Sequence, residues 1–128
     1  MNHIKDAIGQ ARTNDYFRRV LATSSHIQIV IMSIPAGGEI GEETHPDNDQ
    51  TLYLVEGSGE AILDGESMEF NVGDIILVAA GTRHNFITKG EQAMKIITAY
   101  APPHHPEGTV HKTKVDADQA AAEPNATA

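Results

Sequence analysis

The sequence predicts an all-β barrel or sandwich with a short helical segment at each end. From about residue 26 to residue 101, short apolar runs recur at regular intervals, and turn residues separate them. No helical period lies between these runs, and strands that follow one another in this way typically pair in antiparallel sheets. The chain has 128 residues and no cysteine, so it is long enough to bury one core without disulfides.

The spacing of apolar residues changes along the N-terminal part of the chain. Apolar residues spaced three and four apart in residues 4–11 predict a short amphipathic helix. From His26 to Ile34 the period is two, so a strand is predicted in which alternate isoleucines share one face. His26 and Gln28 lie on the other, more polar face, where they either line a pocket or face solvent.

Six further strands are predicted, each followed by turn residues. They are Leu52–Glu56, Glu60–Leu63, Ser67–Val72, Ile75–Val78, His84–Thr88 and Ala93–Ala101. Asp64-Gly65 is typical of a tight hairpin, because both central residues of such a turn need a positive φ. The strands predict a barrel over residues 20–101, preceded by a helical or extended arm over residues 1–19.

A polar C-terminal extension, residues 102–128, follows the predicted barrel. Thr113 and Asp116 have the spacing of a capping box, which predicts a brief helix over Val115–Ala122. The extension also holds three histidines whose spacing matches no known ligand pattern. We interpret them as part of an exposed loop rather than as a lid or a second ion site: His104, His105 and His111.

The charge of the chain restricts its partners. Nine Lys and Arg against eighteen Asp and Glu give a net charge of −9, which argues against nucleic acid or an anionic membrane. The longest apolar run, Ile75–Ala80, is far shorter than the roughly 20 residues that cross a bilayer. The first residues lack the basic and apolar blocks of a secretory signal. We therefore expect a cytoplasmic protein with a small-molecule partner.

Four polar side chains are candidates for one site inside the barrel. Glu43 and His45 are two residues apart, so on an extended strand they point the same way with Cα atoms about 7 Å apart. Gln50 and His84 begin two later apolar runs. Neighbouring strands could bring these nitrogen and oxygen donors together, and without cysteine any bound metal needs such donors.

The spacing of these residues resembles the two cupin motifs. Gly37-x5-Glu43-x-His45-x4-Gln50-x6-Gly57 is similar in spacing to the first motif, G-x5-H-x-H-x3–4-E-x6-G. The second motif, G-x5-P-x-G-x2-H-x3-N, is matched at Gly73, Gly81 and His84 and differs at Ala79 and Thr88. The resemblance covers roughly Val20 to Tyr100. It implies a small single-domain cupin, whose fold is a double-stranded β-helix, the cupin jelly-roll barrel.

The resemblance also implies one divalent metal ion on Glu43, His45, Gln50 and His84. A typical metal cupin offers three histidines and one glutamate, whereas here Glu43 takes the place of the first histidine and Gln50 that of the glutamate. Two imidazoles with one carboxylate suit Fe(II) and also accept Mn, Ni or Zn. The alternatives are a cupin that has lost its ion, and a Gln50 that hydrogen-bonds beside Glu43 without touching the metal.

One apolar candidate accompanies these ligands. Phe86 follows His84 by two residues and shares its face, so it is predicted to form an apolar wall of the pocket. Core packing explains Phe86 equally well.

The sequence favours a metal-dependent enzyme over a non-catalytic protein. The exchanged Gln and Glu resemble the metal barrel of mannose-6-phosphate isomerases, which implies isomerase or epimerase chemistry on a small, oxygen-rich, sugar-like or hydroxy-carbonyl substrate. Arg83 is the only basic residue beside a proposed ligand, which argues against a phosphosugar. A dioxygenase with Fe(II) or Ni(II) on the same ligands, and a non-catalytic cupin that binds a small ligand, are the alternatives.

We expect a homodimer, because cupin barrels commonly pair through their sheets and Val20–Ile34 offers an apolar face. The sequence identifies neither the metal, nor the substrate, nor the proton-transfer residue.

Overall fold

The computed structural model describes residues 3–122, which form two antiparallel β-sheets with a short helix at each end. The elements are α1 (Ala7–Thr13), β1 (Arg18–Thr23), β2 (Gln28–Ile34), β3 (Asp49–Glu56), β4 (Ser58–Leu63), β5 (Glu66–Phe70), β6 (Ile75–Val78), β7 (His84–Lys89), β8 (Met94–Ala101), β9 (Val110–His111) and α2 (Lys114–Ala121). The predicted all-β architecture with short terminal helices is confirmed.

The two sheets enclose one main core. The larger sheet has six strands in the order β6-β3-β8-β2-β1-β9, and the smaller has three, β5-β4-β7. Leu52 and Leu54 on β3 and Ile96 on β8 are fully buried, together with Phe70 and Phe86 from the smaller sheet. Alternate side chains of each strand therefore fill the space between the sheets, and polar residues at the same alternate positions also face inward.

The predicted hairpin at Asp64-Gly65 is confirmed. Both residues have a positive φ, 48° for Asp64 and 82° for Gly65, and they join β4 to β5. Asn and Asp are among the few residues other than glycine that tolerate this conformation. A turn of this kind matches the twist of the paired strands on either side.

The turn before β2 differs from the prediction. β2 begins at Gln28 rather than at His26, because Ser24 N donates to Ile27 O at 2.9 Å and closes a turn there. His26 is exposed in this turn. Within β2 the predicted alternation holds, since Gln28, Val30 and Met32 are all buried against the inside of the barrel.

β1 is a strand that the apolar pattern does not predict. It pairs with β2, but the register shifts between Val20 and Ala22, and this bulge breaks the period of two. Arg18 and Val20 are buried while Arg19 is exposed. β9, from the C-terminal extension, pairs with β1 at Arg18 and Arg19. The larger sheet therefore includes residues from both sides of the predicted barrel.

Helix α1 covers the outer face of the larger sheet. Its residue Ala11 packs with Ile31 and Val55 in a second, smaller apolar cluster. Much of the Val20–Ile34 face that we expected to form a dimer contact is therefore buried within the chain. None of the helices formed by residues 3–122 has the length and apolar character needed to cross a membrane.

Helix α2 begins as the capping pattern predicts. Thr113 Oγ1 accepts a hydrogen bond from Asp116 N at 3.1 Å, and this satisfies a backbone donor that has no partner within the helix. The helix starts at Lys114, one residue earlier than predicted. The end of the C-terminal extension, residues 123–128, lies outside the described residues.

Candidate metal centre

Glu43 and His45 lie in an extended segment that precedes β3 and runs beside β7. Glu43 N donates to His84 O, and His84 N donates to Glu43 O, both at 2.9 Å. Gly81 N, in the turn before β7, donates to His45 O at 2.9 Å. The φ of Gly81 is 86°, a conformation that glycine adopts without strain. Glu43 and His84 are therefore direct neighbours across an antiparallel bridge.

Two of the four predicted ligands are in contact, and a third lies beside them. Glu43 Oε2 lies 3.3 Å from His45 Nε2, and the ring centroids of His45 and His84 are 5.1 Å apart. Gln50 is buried at the start of β3, where it pairs with Tyr100 on β8. The Tyr100 ring is in turn 5.9 Å from the ring of His45.

Hydrogen bonds orient the His84 ring and the Gln50 amide. His84 Nδ1 lies 2.8 Å from Thr82 O, so a proton on Nδ1 leaves Nε2 with a lone pair. Gln50 Nε2 donates to Thr98 Oγ1 at 3.0 Å, while the buried Gln50 Oε1 has no hydrogen-bond partner. Metal-binding histidines typically donate their other ring N–H to a carbonyl in this way. A buried oxygen without a partner is costly unless a cation or a donor satisfies it.

Burial sets the protonation of the site. Burial, together with His104, His84 and Arg18, lowers the pKa of His45 to about 4. Burial raises the pKa of Glu43, although Arg18, His84 and Lys114 act against this. His45 is therefore neutral at pH 7, which is the form of imidazole that binds a metal ion.

The donors fit a divalent cation in type, but they do not enclose one as placed. Within residues 3–122, no group of three or more His, Asp or Glu side chains is close enough together to hold an ion. Glu43 Oε2 and His45 Nε2 are 3.3 Å apart, a separation that two ligands of one ion can also have, whereas the other donors are not gathered around them. A neutral His45, an anchored His84 and the unpartnered Gln50 oxygen are nitrogen and oxygen donors of the kind that Fe, Mn, Ni and Zn accept.

His104 is a site residue that the sequence analysis missed. Its ring centroid is 4.3 Å from that of His45 and 5.3 Å from that of Tyr100, on which it stacks. Its Nδ1 lies 3.2 Å from Asn48 Oδ1, and its buried Nε2 has no hydrogen-bond partner. Burial also lowers the pKa of His104 to about 4.

Gln28 explains why the histidine segment is not an exposed loop. Gln28 Oε1 accepts hydrogen bonds from the backbone N–H groups of His104 and His105, and Gln28 Nε2 donates to His105 O at 2.7 Å. His105 is 4 % exposed as a result. The interpretation of the three histidines as part of an exposed loop was therefore wrong, because His105 is buried, His104 is half-buried, and the half-buried His111 lies in strand β9. A glutamine on the inner face of an apolar strand was the available signal, because a buried amide needs polar partners.

The predicted pocket residues have three different outcomes. Gln28 is buried but is occupied in holding the histidine segment. His26 does not face the interior, because it lies in the exposed turn before β2, where its Nδ1 contacts Ser25 Oγ. Phe86 is fully buried, with its ring centroid 6.2 Å from that of His84 and 5.5 Å from that of Phe70. It forms an apolar surface beside His84 and belongs to the core as well.

Arg18 is the second residue that the sequence analysis missed. It is 5 % exposed on the inner side of β1, and its Nη1 lies 3.1 Å from His111 Nδ1. Burial raises the pKa of the Tyr100 hydroxyl, and Arg18 acts against this. The buried Arg18 Nε has no hydrogen-bond partner. The signal was weak, because the alternation that points Arg18 inward is short and ends at the bulge after Val20.

Comparisons with known proteins give one consistent family. A family model of the cupin domain matches residues 30–100. YrkC, an uncharacterized protein of Bacillus subtilis, is 43 % identical over 112 residues, which are 83 % of this chain and 60 % of YrkC. The crystal structure of BH2720 from Bacillus halodurans has a TM-score of 0.92 and 37 % identity, covering 94 % of this chain and 96 % of that chain.

A more distant relative carries a named activity. Quercetin 2,3-dioxygenase of Bacillus subtilis is 30 % identical over 78 residues, which are 58 % of this chain and 23 % of that enzyme. The chain thus spans less than two thirds of the length of YrkC and under a quarter of the length of the dioxygenase.

Proposed function

This chain belongs to the cupin family, and on that premise we propose that it is a metal-dependent enzyme acting on a small, oxygen-rich molecule by isomerase or epimerase chemistry. One observation supports the proposal above the others. Glu43 lies in contact with His45, the His84 ring lies 5.1 Å from the His45 ring, and the buried Gln50 Oε1 has no hydrogen-bond partner.

The ligands proposed for the ion are Glu43, His45, Gln50 and His84. A bound divalent ion would polarise a carbonyl or hydroxyl oxygen of the substrate and stabilise the anion that forms when a neighbouring proton is removed. The contact with Thr82 O holds the His84 ring, and Thr98 holds the Gln50 amide. Phe86 and the core around it exclude water from this side of the site.

Dioxygenase chemistry is the second candidate, and the likeness to quercetin 2,3-dioxygenase favours it. The same ligands suit Fe(II) or Ni(II) with positions left for substrate and O₂. Oxygen consumption in the presence of a turned-over substrate separates this chemistry from isomerisation. A protein that binds small ligands tightly but turns none of them over would be the non-catalytic alternative. The cytoplasmic location expected from the sequence stays a prediction.

The metal content of purified protein tests the proposal. We expect about one divalent ion per chain in protein purified without added metal, and a loss of most of it in Glu43→Ala and in His84→Ala. Glu42→Ala and His26→Ala are matched controls, because they remove the same side-chain types from exposed positions. Elemental analysis of all five proteins makes the comparison. Metal content that is unchanged in both ligand variants would contradict the proposal.

A further inference from the structure

A cavity of about 340 Å³ opens beside Glu43, between helix α2 and the segment that leads to the candidate metal centre. Its lining includes Gly41 and Glu43 from that segment, Lys114 and Ala117 from α2, and Arg18 from β1. Cavities of this size accommodate small organic molecules. The cavity is therefore lined both by a proposed metal ligand, Glu43, and by the buried Arg18.

Neighbouring side chains contact the Arg18 guanidinium, but one of its N–H donors has no acceptor. His111 Nδ1 lies 3.1 Å from Arg18 Nη1, and the Phe17 ring lies 5.2 Å from the central carbon of the guanidinium. Its Nε is nevertheless buried without an acceptor. A buried cationic donor that lacks an acceptor is costly, and an anion is the partner that relieves this cost most completely.

The other charges around the cavity are already paired. Lys114 Nζ lies 2.8 Å from Asp118 Oδ2, and Arg83 Nε lies 3.3 Å from Glu42 Oε1. Arg18 is thus the one cation among the described lining residues that no carboxylate pairs with at ion-pair distance. Glu43 is the remaining anion, and it is also a proposed metal ligand. With a divalent ion on Glu43, the cavity carries a net positive charge.

We propose that this cavity is the substrate site and that it takes a small 2-oxo or 2-hydroxy carboxylate. The Arg18 guanidinium donates to the carboxylate, and the neighbouring carbonyl or hydroxyl oxygen faces Glu43, since both side chains line the cavity. A single unpaired guanidinium suits a carboxylate better than a phosphate, which usually collects several cationic donors. The role of the second oxygen rests on the proposed function, whereas the role of Arg18 in binding the carboxylate does not.

Calorimetric titration with pyruvate and with its neutral amide, pyruvamide, tests this proposal. We expect wild-type protein to bind pyruvate at least about tenfold more tightly than pyruvamide, since a charge-assisted hydrogen bond is lost with the amide. Arg18→Met should lose at least about tenfold in pyruvate affinity and keep its metal content. Arg19→Met is the matched control, because Arg19 is the next residue of β1 and is exposed.

Several results would overturn the proposal. They are equal affinity for pyruvate and pyruvamide, equal pyruvate affinity of the Arg18 and Arg19 variants, no binding of pyruvate or lactate by the wild type, and tighter binding of inorganic phosphate than of pyruvate. Comparison of pyruvate with pyruvamide needs no variant, so it stands even if Arg18→Met does not fold. Arg18→Lys provides a second variant that keeps the charge but lacks Nε.

The same titration on protein stripped with EDTA separates the two proposals. The preference for pyruvate over pyruvamide should survive in stripped protein, because it depends on Arg18. If it survives while the metal content of purified protein is unchanged in Glu43→Ala and in His84→Ala, the carboxylate site is supported and the metal-dependent function fails. If metal binds but Arg18→Met leaves pyruvate affinity unchanged, the metal centre is supported and the carboxylate site fails.

Discussion

Gln50 is oriented by one hydrogen bond, which its Nε2 donates to Thr98 Oγ1. The Thr98 hydroxyl in turn donates to Thr51 O at 2.7 Å, so the amide is fixed through a chain of two bonds that ends on the backbone of β3. Because the nitrogen of the amide is used in this way, its oxygen is the atom left without a partner. Groups that orient a ligand affect metal affinity nearly as much as the ligand does.

Valine has nearly the same shape as threonine but lacks the hydroxyl group. Replacement of Thr98 by valine therefore tests whether this hydroxyl orients the Gln50 amide. We expect Thr98→Val to weaken metal binding by about 10- to 100-fold. It should also lower the free energy of unfolding by about 1–3 kcal/mol, since Gln50 Nε2 and Thr51 O lose their partner. Competition with a chelator measures the affinity, and urea denaturation of metal-free protein measures the stability.

Thr51→Val is the control for this experiment, because it makes the same change at an exposed position of β3. If Thr98→Val keeps wild-type metal affinity, Gln50 does not need the hydroxyl to bind, or it does not bind the ion at all. Metal analysis of Gln50→Ala then decides between these two readings.

The residues of the site differ in how far the sequence could predict them. Glu43, His45 and His84 follow from motif spacing, because a two-residue step and one antiparallel bridge place them together locally. Arg18 and His104 do not follow from it, since their positions depend on strand pairing and on a buried glutamine far away in sequence. The spacing of residues in the sequence identifies ligands that lie on one short segment or on two directly paired segments. It does not identify residues that the tertiary fold brings close to those ligands.

At the scale of elements, Gln28 joins β2 to the segment after β8. Its side chain makes three hydrogen bonds to the backbone of His104 and His105, and a fourth to Thr23 Oγ1 at 3.0 Å. These bonds satisfy backbone groups of a segment that has no strand partner of its own. The stacking of His104 on Tyr100 then follows from the path of the backbone.

Removal of this amide should release the histidine segment. We expect Gln28→Ala to lower the free energy of unfolding by about 2–4 kcal/mol, because it leaves buried backbone groups unpaired and opens a cavity. Hydrogen exchange at His104 and His105 should become much faster, and ligand or metal binding that depends on His104 should weaken. Gln92→Ala, in an exposed turn, is the control. Unchanged exchange at these two amides would show that other contacts hold the segment.

The elements that sequence patterns predicted are those with uninterrupted alternation or a clear turn. β2 and the β4–β5 hairpin are of this kind. β1 contains a bulge, and β9 has two residues, so neither gives a periodic signal of its own. Both become strands because β2 offers a free edge to β1 and β1 then offers one to β9. Pairing with an existing sheet, rather than local preference, determines these two strands.

At the scale of the molecule, the outer face of the larger sheet is only partly covered. Helix α1 packs over its middle, but Ile75 and Leu77 on the edge strand β6 remain 67 % and 65 % exposed. Val72, in the turn before β6, is also exposed. An apolar edge strand of this kind is usually protected by charge, by a bulge or by a partner. The expected homodimer stays a prediction, and this patch is a better candidate for its contact than the buried Val20–Ile34 face.

A second copy can protect both edges at once if the two β6 strands meet across a twofold axis, since each copy then offers the other the same apolar surface. We expect the wild-type chain to have the mass of a dimer by light scattering and Ile75→Glu/Leu77→Glu to be monomeric, because buried glutamates would repel across the axis. Val115→Glu, which places the same charge at an exposed valine of α2, should stay dimeric. A monomeric wild type would contradict the dimer, and a double variant that remains dimeric would move the contact away from β6.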